Sequence, residues 1–535
     1  MAGEEYLSTP EWRELTIETV LGRPVQVWKH RHKHVLDLLD LAPRAEALDL
    51  LVQGDRRVSF RDFHAGVETA AVELARLDIG RGDRILLILY NRPEVLLAQW
   101  GAFRLGAVPV FGNRWWSDAE AADVIARVRP KLIITDLPLA GVDRMGAACV
   151  HPDVLAGWWS QRSPGSAPAD PRSSSDEDDL ALIVFTAGST GAPKGVQLTH
   201  RVLVWSQQTI HNMRGGRPPL PTRPAEQKVT LMTTPMFHNG AIVTGISALI
   251  DGNRTVMLEG KFMAEDVLGL IERERVTAWQ AVPTMFARML QHSSFASYDL
   301  SSLVAPSSGG THVPEALIEA VDQRLPNAGP NLVVGYGMTE MSFLTMATRG
   351  EMRARSGTVG KPIPGVEMRV DAPDASGQGE LLGRSAALMI GYLGTADQPI
   401  DAEGWYHTGD LGRIDADGYV YVTGRVKDMI IRGGENIACA HVEAAILEHP
   451  SVLEVAVAGH PDEQLGEVVA AFARIKADRP VSEADLAAFA RSRLAYFCVP
   501  TLWSFHAEPL PVLPTGKIDK LSLQRMLRER EGADG

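Results

Sequence analysis

A large α/β layer of mainly parallel strands, followed by a small α+β domain, is the architecture this sequence predicts. Three observations carry it. Between Val58 and Asp136, segments of helical and of strand periodicity alternate. Leu182 to Phe185 has the length and β-branched character of a buried strand and runs into a Gly/Ser/Thr loop. Beyond Arg425 the sequence changes character. Because 535 residues exceed what one core supports, the chain divides into 1–425, expected to hold several subdomains, and 426–535.

Taken in order, Phe60 to Leu77 has apolar residues at helical spacing, Ile85 to Leu89 reads as a strand and Glu94 to Leu105 as a helix. Val108 to Phe111 is a strand, Ala119 to Val128 a helix and Leu132 to Thr135 a strand. The cluster His30-Arg31-His32-Lys33-His34 reads as a solvated basic face, since no carboxylate or cysteine accompanies it at ligand spacing. Gln161 to Asp179, rich in Pro, Ser and Asp, reads as a surface connection. The alternation then resumes, with a strand at Val229 to Thr233 and helices at Ala241 to Leu249, Val267 to Arg275 and Ala316 to Arg324. Leu332 to Val334 is a short strand, and Asp415 to Gly418 turns a hairpin between Leu411 to Ile414 and Tyr419 to Thr423. In the last segment, Val442 to Glu448 and Glu483 to Leu494 read as helices, with strands at Val452 to Val457 and Val468 to Ile475.

A net charge of −13 argues against a nucleic-acid surface. Cys149, Cys439 and Cys498 are odd in number and far apart, so neither a disulfide framework nor a cysteine metal site is indicated, and a reducing, cytoplasmic location is expected. The acidic start MAGEEYLSTPEWRE is no signal peptide. The longest uncharged apolar run, Gly240 to Ile250, falls short of the roughly 20 residues of a membrane span.

Thr186, Gly188, Ser189, Thr190, Gly191, Lys194 and Gly195 have the composition of a phosphate cradle: glycines free the backbone N–H groups, hydroxyls add donors, and one lysine supplies charge. Such loops are also ordinary solvated connections. Lys194 is followed by Gly195 and an apolar run rather than by Ser/Thr and a helix, so a hairpin over a phosphate tail fits better than the common P-loop. Gly335-Tyr336-Gly337-Met338-Thr339-Glu340 offers a ring between glycines and a carboxylate suited to Mg²⁺, or simply a tight turn. Asp410, just before the hairpin, suits ribose hydroxyls, and Arg425 could donate beside it. Lys517 sits on a Gly-containing turn, where a lysine is usually only solvated.

With these motifs in order, the chain resembles the adenylate-forming superfamily, specifically the acyl-CoA synthetases, from about Val58 to Lys520. TAGSTGAPKG resembles the family's phosphate loop, PMFHNGA (Pro235 to Ala241) its acyl-pocket motif, SSGGTHVP (Ser307 to Pro314) and GYGMTE its adenine and magnesium motifs, YHTGD and GRVKD its ribose motif and hinge, and PTGK its catalytic lysine. The resemblance implies that a carboxylate attacks the α-phosphate of ATP to give acyl-AMP, and that coenzyme A then displaces AMP. It implies that Thr186, Ser189, Thr190, Gly191 and Lys194 hold the phosphates, that Glu340 binds Mg²⁺, and that Gly309, Gly310, Thr311, Tyr336 and Gly337 frame the adenine. Thr339 would contact the α-phosphate, Asp410 and Arg425 the ribose, and Lys517 would bridge carboxylate and α-phosphate. His238, Asn239, Gly310, Gly335 and Met338 would meet the acid, with His238 as a gate towards the thiol. A small domain swinging about Lys427 would present Lys517 first and then the Gly433-Gly434 turn.

The chain departs from the family pattern at Ala438-Cys439, His441 and Cys498, which leaves a carrier-protein phosphopantetheine open as acceptor; a homodimer is also open. An amino-acid substrate would need a buried carboxylate that Phe237-His238-Asn239 lacks. No added segment separates Glu340 from Asp410, which favours a mobile domain. A non-catalytic nucleotide-binding relative is the other reading, against which stand Lys194, Glu340, Asp410 and Lys517. The acid pocket is expected to be mostly apolar, lined from Phe237 to Ile242, Trp279 to Thr284, Ser308 to Thr311 and Gly335 to Phe343. It suits a fatty, aryl or polycyclic monocarboxylic acid.

Overall fold

A computed structural model describes residues 10–45, 47–138, 147–159, 169–186, 193–395, 398–433, 435–513 and 516–534. Among them, two large sheets form the centre of the first domain. One runs Gly391–Tyr392, Lys194–Thr199, Leu180–Thr186, Val108–Phe111, Arg84–Ile88, Leu132–Thr135, Ala148–Val150. It is parallel except where Lys194–Thr199 pairs with its two neighbours. The other has a parallel centre of Val333–Met338, Ala305–Gly309, Ala278–Ala281, Val229–Met232, Arg254–Met257 and Asp49–Gln53. Parallel strands are buried on both faces and need helices over each, which is why Leu132–Thr135 and Val108–Phe111 are buried throughout.

The helices follow their sequence signals. Phe60–Arg76 starts at Ser59, whose hydroxyl accepts from the Asp62 amide. Pro93–Leu105 has proline in its first turn and ends on Gly106 at φ 70°. These two helices pack so closely that a Cβ on Gly101 would lie 2.7 Å from that of Ala70. A four-stranded sheet, Val366–Asp371, Gly379–Ser385, Tyr406–Ile414 and Val420–Arg425, closes the first domain. The turn Val426–Asp428 leads into the small domain, whose strands Met429–Arg432, Glu435–Ala438, Val452–Asp462, Gly466–Ile475 and Leu502–His506 carry the helices Cys439–Leu447 and Glu483–Arg491. No helix of the described residues is long and apolar enough to cross a membrane.

The His30–His34 cluster is not the solvated face expected. The Arg31 side chain is 5% exposed between Glu18 at 2.7 Å and Glu177 at 2.8 Å. His34 caps the helix Val35–Leu41 and stacks on His200 with ring centroids 3.8 Å apart. Glu177 and its neighbour Asp178 also hold Arg201, so the end of the 161–179 connection is pinned by charge. Burial pushes both stacked histidines down, His200 to about 3. The unfolded side chains protonate near pH 6.5, so stability is full above that pH and declines as the pH falls towards 3. Thermal melts at pH 7.5 and 5.0 check this: the wild type loses Tm on acidification and His200→Phe loses less. Equal losses would remove the histidines from the account.

Candidate active site

The Gly/Ser/Thr loop joins two antiparallel strands, Leu180–Thr186 and Lys194–Thr199, with Thr186 opposite Lys194. This is the hairpin rather than the strand-to-helix turn. Ser189, Thr190 and Gly191 lie outside the described residues. The Lys194 ammonium sits 4.8 Å from the Tyr392 ring centroid, a cation–π distance. Tyr392 donates its hydroxyl to Glu340 Oε1 at 2.7 Å and lies 3.1 Å from the Tyr406 hydroxyl. Burial pushes the Glu340 carboxyl above its usual range, against the Tyr392 hydrogen bond and the charge of Lys194. Lys194, on a strand of one sheet, and Glu340, in the turn between Val333–Met338 and Ser342–Thr348 of the other, therefore share one tyrosine.

Asp410 lies on Tyr406–Ile414 opposite Arg425. Its Oδ2 accepts from the Tyr336 hydroxyl at 2.8 Å and its Oδ1 from Arg425 Nε at 3.0 Å. Each carboxylate oxygen keeps a second lone pair for an incoming hydroxyl. Tyr336 is thus tied at its hydroxyl end as well as offering a ring.

The glycines divide. A Cβ on Gly309 would meet Gly335 O at 2.4 Å, and one on Gly337 would meet Ser342 O at 2.2 Å. Both are required by neighbouring backbone within the sheet. Gly310 (φ +78°) and Gly335 meet nothing closer than 3.8 Å and 4.0 Å, leaving room over the strand ends.

Lys517 comes from the small domain. Its turn is closed by Leu513 N donating to Lys517 O at 2.7 Å and docks on the helix Pro283–Gln291. Thr284 donates to Gly516 O, and Arg288 donates to Leu510 O at 3.0 Å. The lysine Cε reaches 3.8 Å from the position of a Cβ on Gly310. Burial first, and then Arg425, push its amine down to about 8, with Asp410 opposing. His238 caps the helix Asn239–Ile250 without a side-chain cap bond. Burial, then Lys517, push its imidazole down to about 3, so it is neutral at physiological pH. Its Nε2 and the Asn239 Oδ1 are buried without a partner, the kind of orphaned polar pair a ligand satisfies.

All the described candidate residues except Gly433 line one cavity of about 3170 Å³, which runs into the cleft between the domains. Gly433, at φ +59° beside Leu465, is elsewhere, and Gly434 lies outside the described residues. Lys427 lines the cleft in the turn Val426–Asp428. Trp279 belongs to the core, its Nε1 donating to Thr233 and its ring 4.4 Å from Phe286. Cys439 and Cys498 are packed inside the small domain, and burial pushes the Cys439 thiol up to about 12. Tyr392 was missed from sequence, and Tyr406 and Thr284 entered only as members of the YHTGD motif and of the Trp279 to Thr284 segment, without the contacts they make. Nothing local marks them, since each acts across a tertiary contact.

The model of the AMP-binding enzyme family matches residues 40–393, and that of the AMP-binding enzyme C-terminal domain matches residues 441–517. The chain is 31% identical over 515 residues to 3-[(3aS,4S,7aS)-7a-methyl-1,5-dioxo-octahydro-1H-inden-4-yl]propanoyl:CoA ligase of Rhodococcus jostii, covering 90% of this chain and 96% of that protein. It is 32% identical over 494 residues to the long-chain-fatty-acid–CoA ligase FadD13 of Mycobacterium tuberculosis, covering 90% and 94%. Among solved structures it is similar to the o-succinylbenzoate coenzyme A synthetase of Bacillus subtilis in complex with ATP and magnesium ion, with TM-score 0.75, 27% identity, and coverage of 91% and 97%. Because both models match in chain order and the relatives span nine-tenths of its length, the chain belongs to the AMP-binding enzyme family, with the adenylate-forming acyl-CoA synthetases.

Proposed function

We propose that this protein couples a carboxylic acid to coenzyme A in two half-reactions at the cavity holding Lys517. The acid's oxygen bonds to the α-phosphorus of ATP as pyrophosphate leaves. The thiol sulfur then bonds to the acyl carbon as AMP leaves. The observation that carries this reading is Lys517, a lysine of the small domain docked against the strand ends of the large one, within reach of Gly310 and electrostatically coupled to Asp410 and Arg425.

Two anions meet in the first half-reaction, so preorganised positive charge is the main requirement. Lys517 supplies it at the carboxylate and α-phosphate. Lys194, with Thr186, Ser189, Thr190 and Gly191, supplies it at the phosphate tail. Asp410 and Arg425 orient the ribose, Tyr336 with Gly310 and Thr311 frames the base, and Thr339 meets the α-phosphate. His238, neutral and unpartnered, stands between acid and thiol, with Asn239, Gly335 and Met338 around the acid. The hard oxygen of Glu340, beside Lys194, fits Mg²⁺; when bound, that ion neutralises phosphate charge. Lys427 is the hinge, and Gly433-Gly434 the turn presented for thiol entry. Three cysteines, odd in number and far apart in sequence, suit a cytoplasmic enzyme.

Pyrophosphate release with a panel of fatty, aryl and polycyclic acids tests the first half-reaction, and thioester formation on adding coenzyme A tests the second. Release without thioester would move the acceptor to a carrier protein; no release with any acid would favour a non-catalytic nucleotide-binding protein. Asp410→Ala is expected to raise the apparent KM for ATP at least about tenfold, the size of one lost charge-assisted contact. Steady-state kinetics on a variant with an unchanged melting profile check it; an unchanged KM would exclude the ribose role.

A further inference from the structure

The cavity continues past His238 between the helix Asn239–Ile250 and one face of the sheet below it. The helix turns Gly240, Thr244 and Ser247 towards this space, at the three-to-four-residue spacing of a single helical face. The facing strands contribute Gln280 and its cross-strand partner Ser307, together with Thr230. The strip sets these polar groups beside Val243 and Ala248 of the same helix, in a lining that is otherwise mostly apolar, as expected from sequence. Alternation on Ala278–Ala281 places Gln280 there: Trp279 and Ala281 enter the core below and leave Gln280 on the cavity side.

Gln280 is held in place. Its Oε1 accepts from the Thr244 hydroxyl at 2.6 Å. Its Nε2 lies 3.7 Å from the position of a Cβ on Gly240, so a side chain there would crowd the carboxamide. Gln280 stands two residues, about 6.6 Å of strand, from Val282, whose methyl groups lie 3.9 Å and 2.7 Å from where a Cβ on Gly310 and on Gly516 would be, beside Lys517. An acid whose carboxylate meets Lys517 therefore passes its skeleton under an oriented amide donor.

We propose that the acid accepted here carries a keto or hydroxyl oxygen on its skeleton, hydrogen-bonded by Gln280; the inference rests on the ligase reading above. A plain hydrocarbon of the same shape would strip water from the carboxamide and return nothing. Sites built around a substrate hydroxyl or amide discriminate far more strongly than those that only fit a methylene, for which the difference is about 10–200-fold.

Matched acids differing by one oxygen test this: octanoate against 5-oxo-octanoate, and cyclohexylpropanoate against 4-oxocyclohexylpropanoate, with pyrophosphate release as readout. The wild type should favour the oxo member of at least one pair by more than about 200-fold in kcat/KM. Gln280→Leu should bring that pair to within about threefold, by lowering the oxo acid and raising its hydrocarbon partner. Thr244→Val, which frees the carboxamide, should give an intermediate ratio. An unchanged KM for ATP in both variants certifies the fold, and if Gln280→Leu fails to fold, Thr244→Val alone carries the comparison. Equal use of both members of both pairs by the wild type overturns the proposal, as does a preference that survives in the folded variants. Release with no acid of any kind would instead sink the ligase reading, and this inference with it.

Discussion

Lys517→Ala is expected to slow pyrophosphate release by about 10²–10³-fold, yet to form thioester from synthetic acyl adenylate and coenzyme A at close to the wild-type rate. The size is that of one preorganised electrostatic group, about 2.7–4 kcal/mol. The asymmetry follows from where the charge is used. Only the first half-reaction forces a carboxylate against a phosphate, and the lysine is held there by a turn docked through Thr284 and Arg288. Its contribution is confined to that transition state, so ground-state binding of either substrate changes little. Rapid-quench measurement of each half-reaction decides the matter. Equal slowing of both would make the lysine structural.

Lys427→Pro has the opposite profile. The turn Val426–Asp428 joins the last strand of the large domain, Val420–Arg425, to the first of the small one, Met429–Arg432. Gly433 lies away from the cavity that Lys517 lines, so if its turn meets the thiol as proposed, thioester formation would need the backbone here to rotate. Proline fixes φ near −65° and resists that change. Adenylation should stay within a few-fold of wild type, while thioester formation falls by at least about 10²-fold, about 2.7 kcal/mol of barrier. Comparable rates for the two half-reactions would end the two-position account of the small domain.

The elements that sequence reading located are those whose signal is local. Thr186 and Lys194 were recognisable as the two ends of a glycine hairpin because strand, turn and lysine fall within the thirteen residues from Leu182 to Lys194, and Asp410 because a turn follows it. Tyr392 was not, since its value lies in touching Lys194 and Glu340 from another part of the chain. The docking of Thr284 on Gly516 spans 232 residues. The histidine cluster was misread for the same reason: the carboxylate that buries Arg31 deepest, Glu177, is 146 residues away. Gly309 and Gly337, expected to frame the adenine, are also required as glycines by the backbone of the next strand, a constraint that sequence does not show. Gln280 fell within the Trp279 to Thr284 segment expected to line the pocket, but nothing local singled it out, because only the alternation of one four-residue strand turns it towards the cavity.

If the small domain swings as proposed, the amine of Lys517 also makes its position sensitive to alkali. Docked, it releases its proton near pH 8; once withdrawn into water it regains the basicity of an ordinary lysine, near 10.4. Departure of the domain therefore takes up a proton anywhere between those values. By mass action, raising the pH from about 7 to about 9.5 draws the resting enzyme towards the closed arrangement, and lowering it sets the domain free. Small-angle scattering of the ligand-free protein should register the compaction, and Lys517→Met, which has no proton to exchange, should show the same dimensions at both pH values.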